Sequence, residues 1–209
     1  MDALKLQWTK LCEAYSKDAA LAGTAFELLL NAYGEKQRHY HTIEHITSML
    51  VEIETYNSRA EDLNILRFAA WFHDAVYDPK GKGNEKASAV LAARLLEQLS
   101  VPAAMIKRVE ELIMATASHT EVNAASDPLI AFFLDCDLKV LGAEPERYKL
   151  YAEQIREEYS HVPYLLYAVG RKKVLRRFLA APFIYRTDHF KNKYEQQARI
   201  NIQHEIETL

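Results

Sequence analysis

The segment Tyr40-His41-Thr42-Ile43-Glu44-His45 sets two imidazoles one helical turn apart with a carboxylate between them. At that spacing both rings can reach one ligand. Imidazole nitrogens so placed suit a divalent cation, and a nearby carboxylate can ligate the ion or accept a proton from water. Histidine pairs at this step also occur as hydrogen-bonded core pairs, so His41 and His45 need partners before they imply chemistry. A second element supplies them. Leu66, Ala69 and Ala70 trace an inward stripe whose next member is His73, followed at once by Asp74. An ionised carboxylate buried there requires a cation or a dense set of donors; the plainer reading makes Asp74 a helix-terminal cap with His73 as its partner.

Two further segments carry polar residues on apolar faces. In the stretch 128–142, Ile130, Phe133, Leu134, Leu138 and Leu141 define a buried face; Asp137, at the seven-residue step from Ile130, is predicted to point inward, and Asp135 to the side. An aspartate among phenylalanine and leucine again calls for a cation, or for a tyrosine or arginine on a neighbouring helix. Val109, Leu112, Thr116 and His119 share one stripe of another element, which makes His119 a candidate substrate contact.

These residues have to be positioned by helices. Glycine and proline number only six each, no run of alternating β-branched residues occurs, and apolar residues recur at three- and four-residue steps in almost every window. The expectation is an all-α protein, a compact single-domain helical bundle over 1–209, with a site core at about 38–142 and C-terminal helices 144–207 packed on it. Helices are predicted over 2–16, 19–33, 41–57, 60–77, 84–99, 102–119, 127–142, 144–160, 162–180 and 188–207. The clearest loop is Asp78-Pro79-Lys80-Gly81-Lys82-Gly83-Asn84.

Composition removes several classes of function. With 49% hydrophobic and 26% charged residues the chain has the make-up of a globular domain, and no apolar stretch approaches the ~20 residues of a membrane span. A net charge of -3 offers no excess of cations for a nucleic-acid backbone or an anionic membrane, so neither partner is expected. Cys12 and Cys136 match no zinc or redox spacing and follow no secretory signal, which fits the cytoplasm. Tyr148, Tyr151, Tyr159, Tyr164 and Tyr167 are read as core and dimer-surface residues, so the chain could form a homodimer.

Taken in order, His45, His73-Asp74 and Asp137 give the pattern H, HD, D along a helical chain. The chain resembles the HD superfamily of metal-dependent phosphohydrolases. The segments RHYHTIEHI, FHDAVYDP, NEKASA, ATASHT, FLDCDLKVLG, IREEY and IYRTDHF look like those of a group of small bacterial HD hydrolases, and they span about residues 38 to 190. The resemblance implies one divalent metal held by His45, His73, Asp74 and Asp137, with Mn, Fe, Co, Zn or Mg all compatible with such a donor set. It selects His45 over His41 as the ligand. Asp74 would also orient water, Asp78 would act as acid or base, and His41, His119, Arg38 and Arg156 would contact a nucleotide or another small phosphorylated substrate. Arg171 and Arg186 are further suppliers of positive charge. In HD hydrolases of guanosine tetraphosphate a Glu-Asp pair follows the doublet; here the place is taken by Tyr77-Asp78, which argues against that substrate.

Two other readings compete. His41-Thr42-Ile43-Glu44-His45 also fits the H-x-x-E-H pattern of inverzincin proteases, with Glu121 as a further ligand. That reading lacks the expected strands and leaves His73, Asp74 and Asp137 unexplained. A non-catalytic module binding a metal or a nucleotide is the other alternative, although a purely structural metal site more typically has four soft or imidazole ligands.

Overall fold

A computed structural model of the chain describes residues 2–119 and 127–209. The fold is all-α: among the described residues there are ten α-helices, short 3-10 turns and no strand. The helices are α1 (Asp2–Glu13), α2 (Ala19–Tyr33), α3 (Ile43–Ile53), α4 (Ala60–Phe72), α5 (Asn84–Gln98), α6 (Ala103–Ala115), α7 (Pro128–Leu138), α8 (Pro145–Glu158), α9 (Tyr164–Ala180) and α10 (Asp188–Thr208). Each predicted helix has a counterpart. The largest difference lies at 41–57, which contracts to α3; 60–77, 102–119 and 127–142 contract by five residues each, to α4, α6 and α7. Thr42 is fully extended, so α3 can begin only at Ile43. After Phe72 the chain leaves the helix, and the Tyr33 hydroxyl and the His73 ring meet the carbonyls of Trp71 and Ala70 in its last turn. No helix among the described residues is long and apolar enough to cross a membrane.

The chain forms two compact units, Met1–Ala117 and Ser118–Leu209. The division falls between 117 and 118, and within the second unit the 3-10 turn Lys139–Gly142 packs with α7, α8 and α10.

In the first unit α4 is the central element, packed against α3, α5 and α6. Ile65, Leu66, Phe68, Ala69, Ala70, Trp71 and Phe72 are all buried, so its C-terminal half is enclosed on every side. Trp8 of α1 sets its indole edge-on to Phe68, Trp71 and Phe72, with centroids 6.1, 5.4 and 6.0 Å away.

In the second unit a buried carboxylate fastens α10 to α7. Asp135 accepts hydrogen bonds from the Arg186 and Thr187 amides at 2.8 and 2.7 Å and from the Thr187 hydroxyl at 2.8 Å. Burial pushes its carboxyl above the usual range, and those three donors oppose the shift. Glu205 of α10 joins α8 and α9 by receiving the Arg171 fork at 2.7 and 3.1 Å and the Tyr148 hydroxyl at 2.5 Å. Gly142 permits close passage of α10: a Cβ there would stand 2.6 Å from that of Tyr194.

Both cysteines are free thiols within the packing, with relative exposures of 1% at Cys12 and 2% at Cys136. Burial, with a contribution from Glu13, pushes the Cys12 thiol up to about 12. Since the thiolate is the reactive species, the folded protein should release almost no chromophore from a disulfide reagent at pH 8. Denaturation in guanidinium should then expose both thiols. Rapid stoichiometric reaction of the native protein would contradict this packing.

Candidate metal centre

His45 and the His73-Asp74 doublet are brought together by two helix ends of opposite sense. His45 lies in the first turn of α3, whose inward face continues through Ile46, Met49, Leu50 and Ile53. His73 caps the C-terminus of α4, with its amide on the Ala69 carbonyl. Both rings are buried and Asp74 is partly so. His45 Nε2 lies 3.2 Å from His73 Nε2, which lies 3.0 Å from Asp74 Oδ2. The three residues each offer one donor atom, all within 4.8 Å of one another, and so form a group that could hold a metal ion.

The tautomer of His73 sharpens this description. Its Nδ1 is 3.0 Å from the Ala70 carbonyl, which can only accept, so Nδ1 carries the proton. In the neutral ring Nε2 is therefore a lone pair, and that lone pair confronts a carboxylate oxygen and a second imidazole nitrogen. The contact between that lone pair and the carboxylate oxygen is repulsive until a cation, either a proton or a metal, enters it. Donors each ~2.1 Å from a common ion stand ~3.0–3.4 Å apart when they occupy adjacent corners of an octahedron or tetrahedron. The two observed separations, 3.2 and 3.0 Å, fit that range. A metal-ligating histidine usually has its other nitrogen bonded to a carbonyl or carboxylate, as His73 does.

The end of α4 adds a field of the same sign. The last carbonyls of a buried helix must find donors. Here the Tyr33 hydroxyl donates to the Trp71 carbonyl at 2.9 Å and the Ala75 amide to that of Phe72 at 3.0 Å. Arg38 donates to the carbonyls of Asp74 and Ala75 at 2.6 and 3.2 Å. The negative end of the helix dipole thus points at the cluster and favours positive charge there.

Other predicted site residues fall in varied surroundings. The Arg38 side chain has 0% exposure, its remaining bonds go to Glu35 and the His41 carbonyl, and it stacks between Tyr33 and Tyr77. Arg156 likewise donates to the carbonyls of Tyr159 and Val162 at 2.5 and 3.0 Å and stacks on Tyr167, so it closes the turn between α8 and α9. Arg171 is committed to Glu205. Arg186 keeps a buried Nη1 without a hydrogen-bond acceptor among the described residues, 3.9 Å from Asp135. Asp78 holds its own loop, accepting from the Lys80 amide at 2.9 Å.

His41 precedes α3, half-buried, with its ring 4.5 Å from that of Tyr77 and 6.1 Å from that of His45. Glu44 is exposed, so the H-x-x-E-H segment does not form one catalytic helical face, and Glu121 lies outside the described residues. Asp137 belongs to the second unit, where its Oδ2 meets His119 Nε2 at 2.7 Å. The expectation that Asp137 is the inward aspartate of α7 and Asp135 the lateral one is reversed: Asp135 has 0% exposure and Asp137 is only partly buried. The reason is that α7 is enclosed on nearly all sides, so an apolar stripe does not select one face. Sequence reading did not identify Ala70 or Tyr33 as partners of the site, because a backbone carbonyl and a tyrosine in an apolar helix carry no distinguishing residue pattern.

Compared with protein-family models, with curated proteins and with solved structures, the chain matches none. The geometry predicts that Mn2+, Co2+ or Zn2+ added to chelator-treated protein raises Tm by roughly 5 °C at about a hundredfold excess over Kd. His73→Ala should abolish the shift. An undiminished shift in a His45→Ala/His73→Ala double variant would contradict binding at this cluster.

Proposed function

We propose that this chain is a metal-dependent phosphohydrolase of the HD type, acting on a nucleotide or another small phosphorylated metabolite. The observation that carries this reading is the meeting of His45, His73 and Asp74 around one point at the end of a buried helix, with donor spacings that suit a divalent ion. Their order along the chain is that of the H, HD pattern. When bound, the ion supplies Lewis-acid activation of a phosphoryl group and of water.

The chain's own groups divide the remaining work. His73 is fixed as a lone-pair donor by Ala70, and His45 is held on the first turn of a rigid buried helix. The backbone of Asp74 is clamped by Arg38, which fixes the position of the carboxylate that would ligate the ion and orient an attacking water. Asp137 is the fourth ligand that the resemblance implies, and its bond to His119 would orient the carboxylate. His41, half-buried just before α3, would contact a substrate phosphate. The mixed nitrogen and oxygen donors favour an open catalytic site over a closed structural one.

The test is a screen of phosphoesters, including nucleoside mono-, di- and triphosphates, with Mn2+ present. Wild type should turn over one class, and Asp74→Ala should lower kcat/KM on the order of a thousandfold, ~4 kcal/mol of transition-state stabilisation. Asp137→Ala should cause a loss of similar order if that residue ligates. Metal binding without turnover of any phosphoester would favour a sensory or structural module, and unchanged activity in Asp74→Ala would exclude the proposed centre.

A further inference from the structure

Helix α9 carries an apolar surface that the rest of the chain leaves uncovered. Leu165, Leu166 and Val169 are 78%, 66% and 70% exposed, and Tyr164 and Val174 are exposed as well. Scattered exposed hydrophobics are ordinary, but a contiguous group on one helix marks an interaction surface. Steps of three and four residues align Leu166, Val169, Gly170 and Val174 in one stripe that ends at Arg177. A Cβ at Gly170 would meet nothing within 4 Å. A glycine in mid-helix costs ~1 kcal/mol relative to alanine, and on an open stripe it allows another backbone to approach closely.

Charge is distributed along the same helix in a polar fashion. Every basic residue of α9 lies between Arg171 and Arg177, and the helix has no acidic one. Arg171 is spent on Glu205, whereas Lys173, Arg176 and Arg177 are exposed and pair with no carboxylate among the described residues. At the opposite end, beside Tyr164, lies a groove of about 260 Å³ lined in part by Lys149, Glu153, Arg156 and Glu157. Arg156 is committed to backbone carbonyls. Glu153 and Glu157 are exposed and also pair with no cation among the described residues. One end of α9 thus offers uncommitted cations and the other uncommitted carboxylates.

We propose that α9 pairs with α9 of a second copy of this chain, antiparallel about a twofold axis at Gly170, with Arg176 and Arg177 of each copy entering the Glu153/Glu157 groove of the other. Reversing a helix of about 25 Å about Gly170 lays Leu166 on Val174 of the second copy. The same operation brings Arg177 to the Pro163-Tyr164 end, where the groove lies. The surface is self-complementary in both apolar pattern and charge, as an isologous interface requires. An anionic membrane would satisfy the arginines but set Glu153 and Glu157 against like charge. A helix pair with two flanking grooves is a small interface, so the dimer is weak and loosens with salt.

Sedimentation equilibrium of the full chain at low ionic strength tests this. Wild type should show a concentration-dependent monomer–dimer equilibrium that shifts toward monomer as salt is added. Val169→Asp should remove the dimer. Arg177→Glu and Glu157→Arg should each weaken association at least about tenfold by like-charge opposition, while the double reversal Arg177→Glu/Glu157→Arg should recover association to within a few-fold of wild type. Circular dichroism confirms that each variant is folded. A strictly monomeric wild type, a double reversal no better than either single change, or a monomer that instead sediments with phosphatidylglycerol vesicles would overturn the proposal.

Discussion

The structure turns on the burial of the C-terminal end of α4. A helix ends with carbonyls that lack intrahelical donors, and exposing them to water is the usual remedy. Here that end lies among Phe68, Trp71 and Phe72, so the protein must bring donors to it. Tyr33, the His73 ring and the Ala75 amide perform this service, and Arg38 meets the Asp74 and Ala75 carbonyls just beyond the helix. The same bonds determine what the site can do. Once Nδ1 of His73 is committed to Ala70, Nε2 is left as a lone pair in a pocket it shares with a carboxylate and a second imidazole. The bonds that terminate the helix also fix the donor atom that His73 presents.

This coupling explains why Arg38 belongs to the frame. An arginine with its side chain wholly enclosed and its donors on carbonyls cannot also reach a substrate. It fixes the backbone that carries Asp74, and its stacking between Tyr33 and Tyr77 connects that backbone to α2 and to the segment after the doublet. Asp135 plays a comparable part in the second unit, where a fully buried carboxylate is tolerated because three donors converge on it.

Much of the fold was legible because helical periodicity is a local signal: the apolar steps in α3 and α4 locate both helices, and His45 and His73 fall on their buried faces. The ends of these helices were less legible. At the end of α4 a side chain distant in sequence, Tyr33, takes the Trp71 carbonyl, a contact that periodicity does not announce. The carbonyl partners of Arg38 and Arg156 were hidden for the same reason, since residue type announces a capacity for charge-assisted bonding without saying which acceptor receives it. In α7 the failure was of another kind. An enclosed helix has no single inward face, so periodicity could not rank Asp135 against Asp137.

Anomalous diffraction from crystals grown with Mn2+ or Zn2+ tests the centre most directly. The account predicts a peak ~2.0–2.3 Å from Nε2 of His45, Nε2 of His73 and the Asp74 carboxylate together. A metal found elsewhere, or a His73 ring joined to Asp74 by a proton alone with the ion in excess, would contradict it.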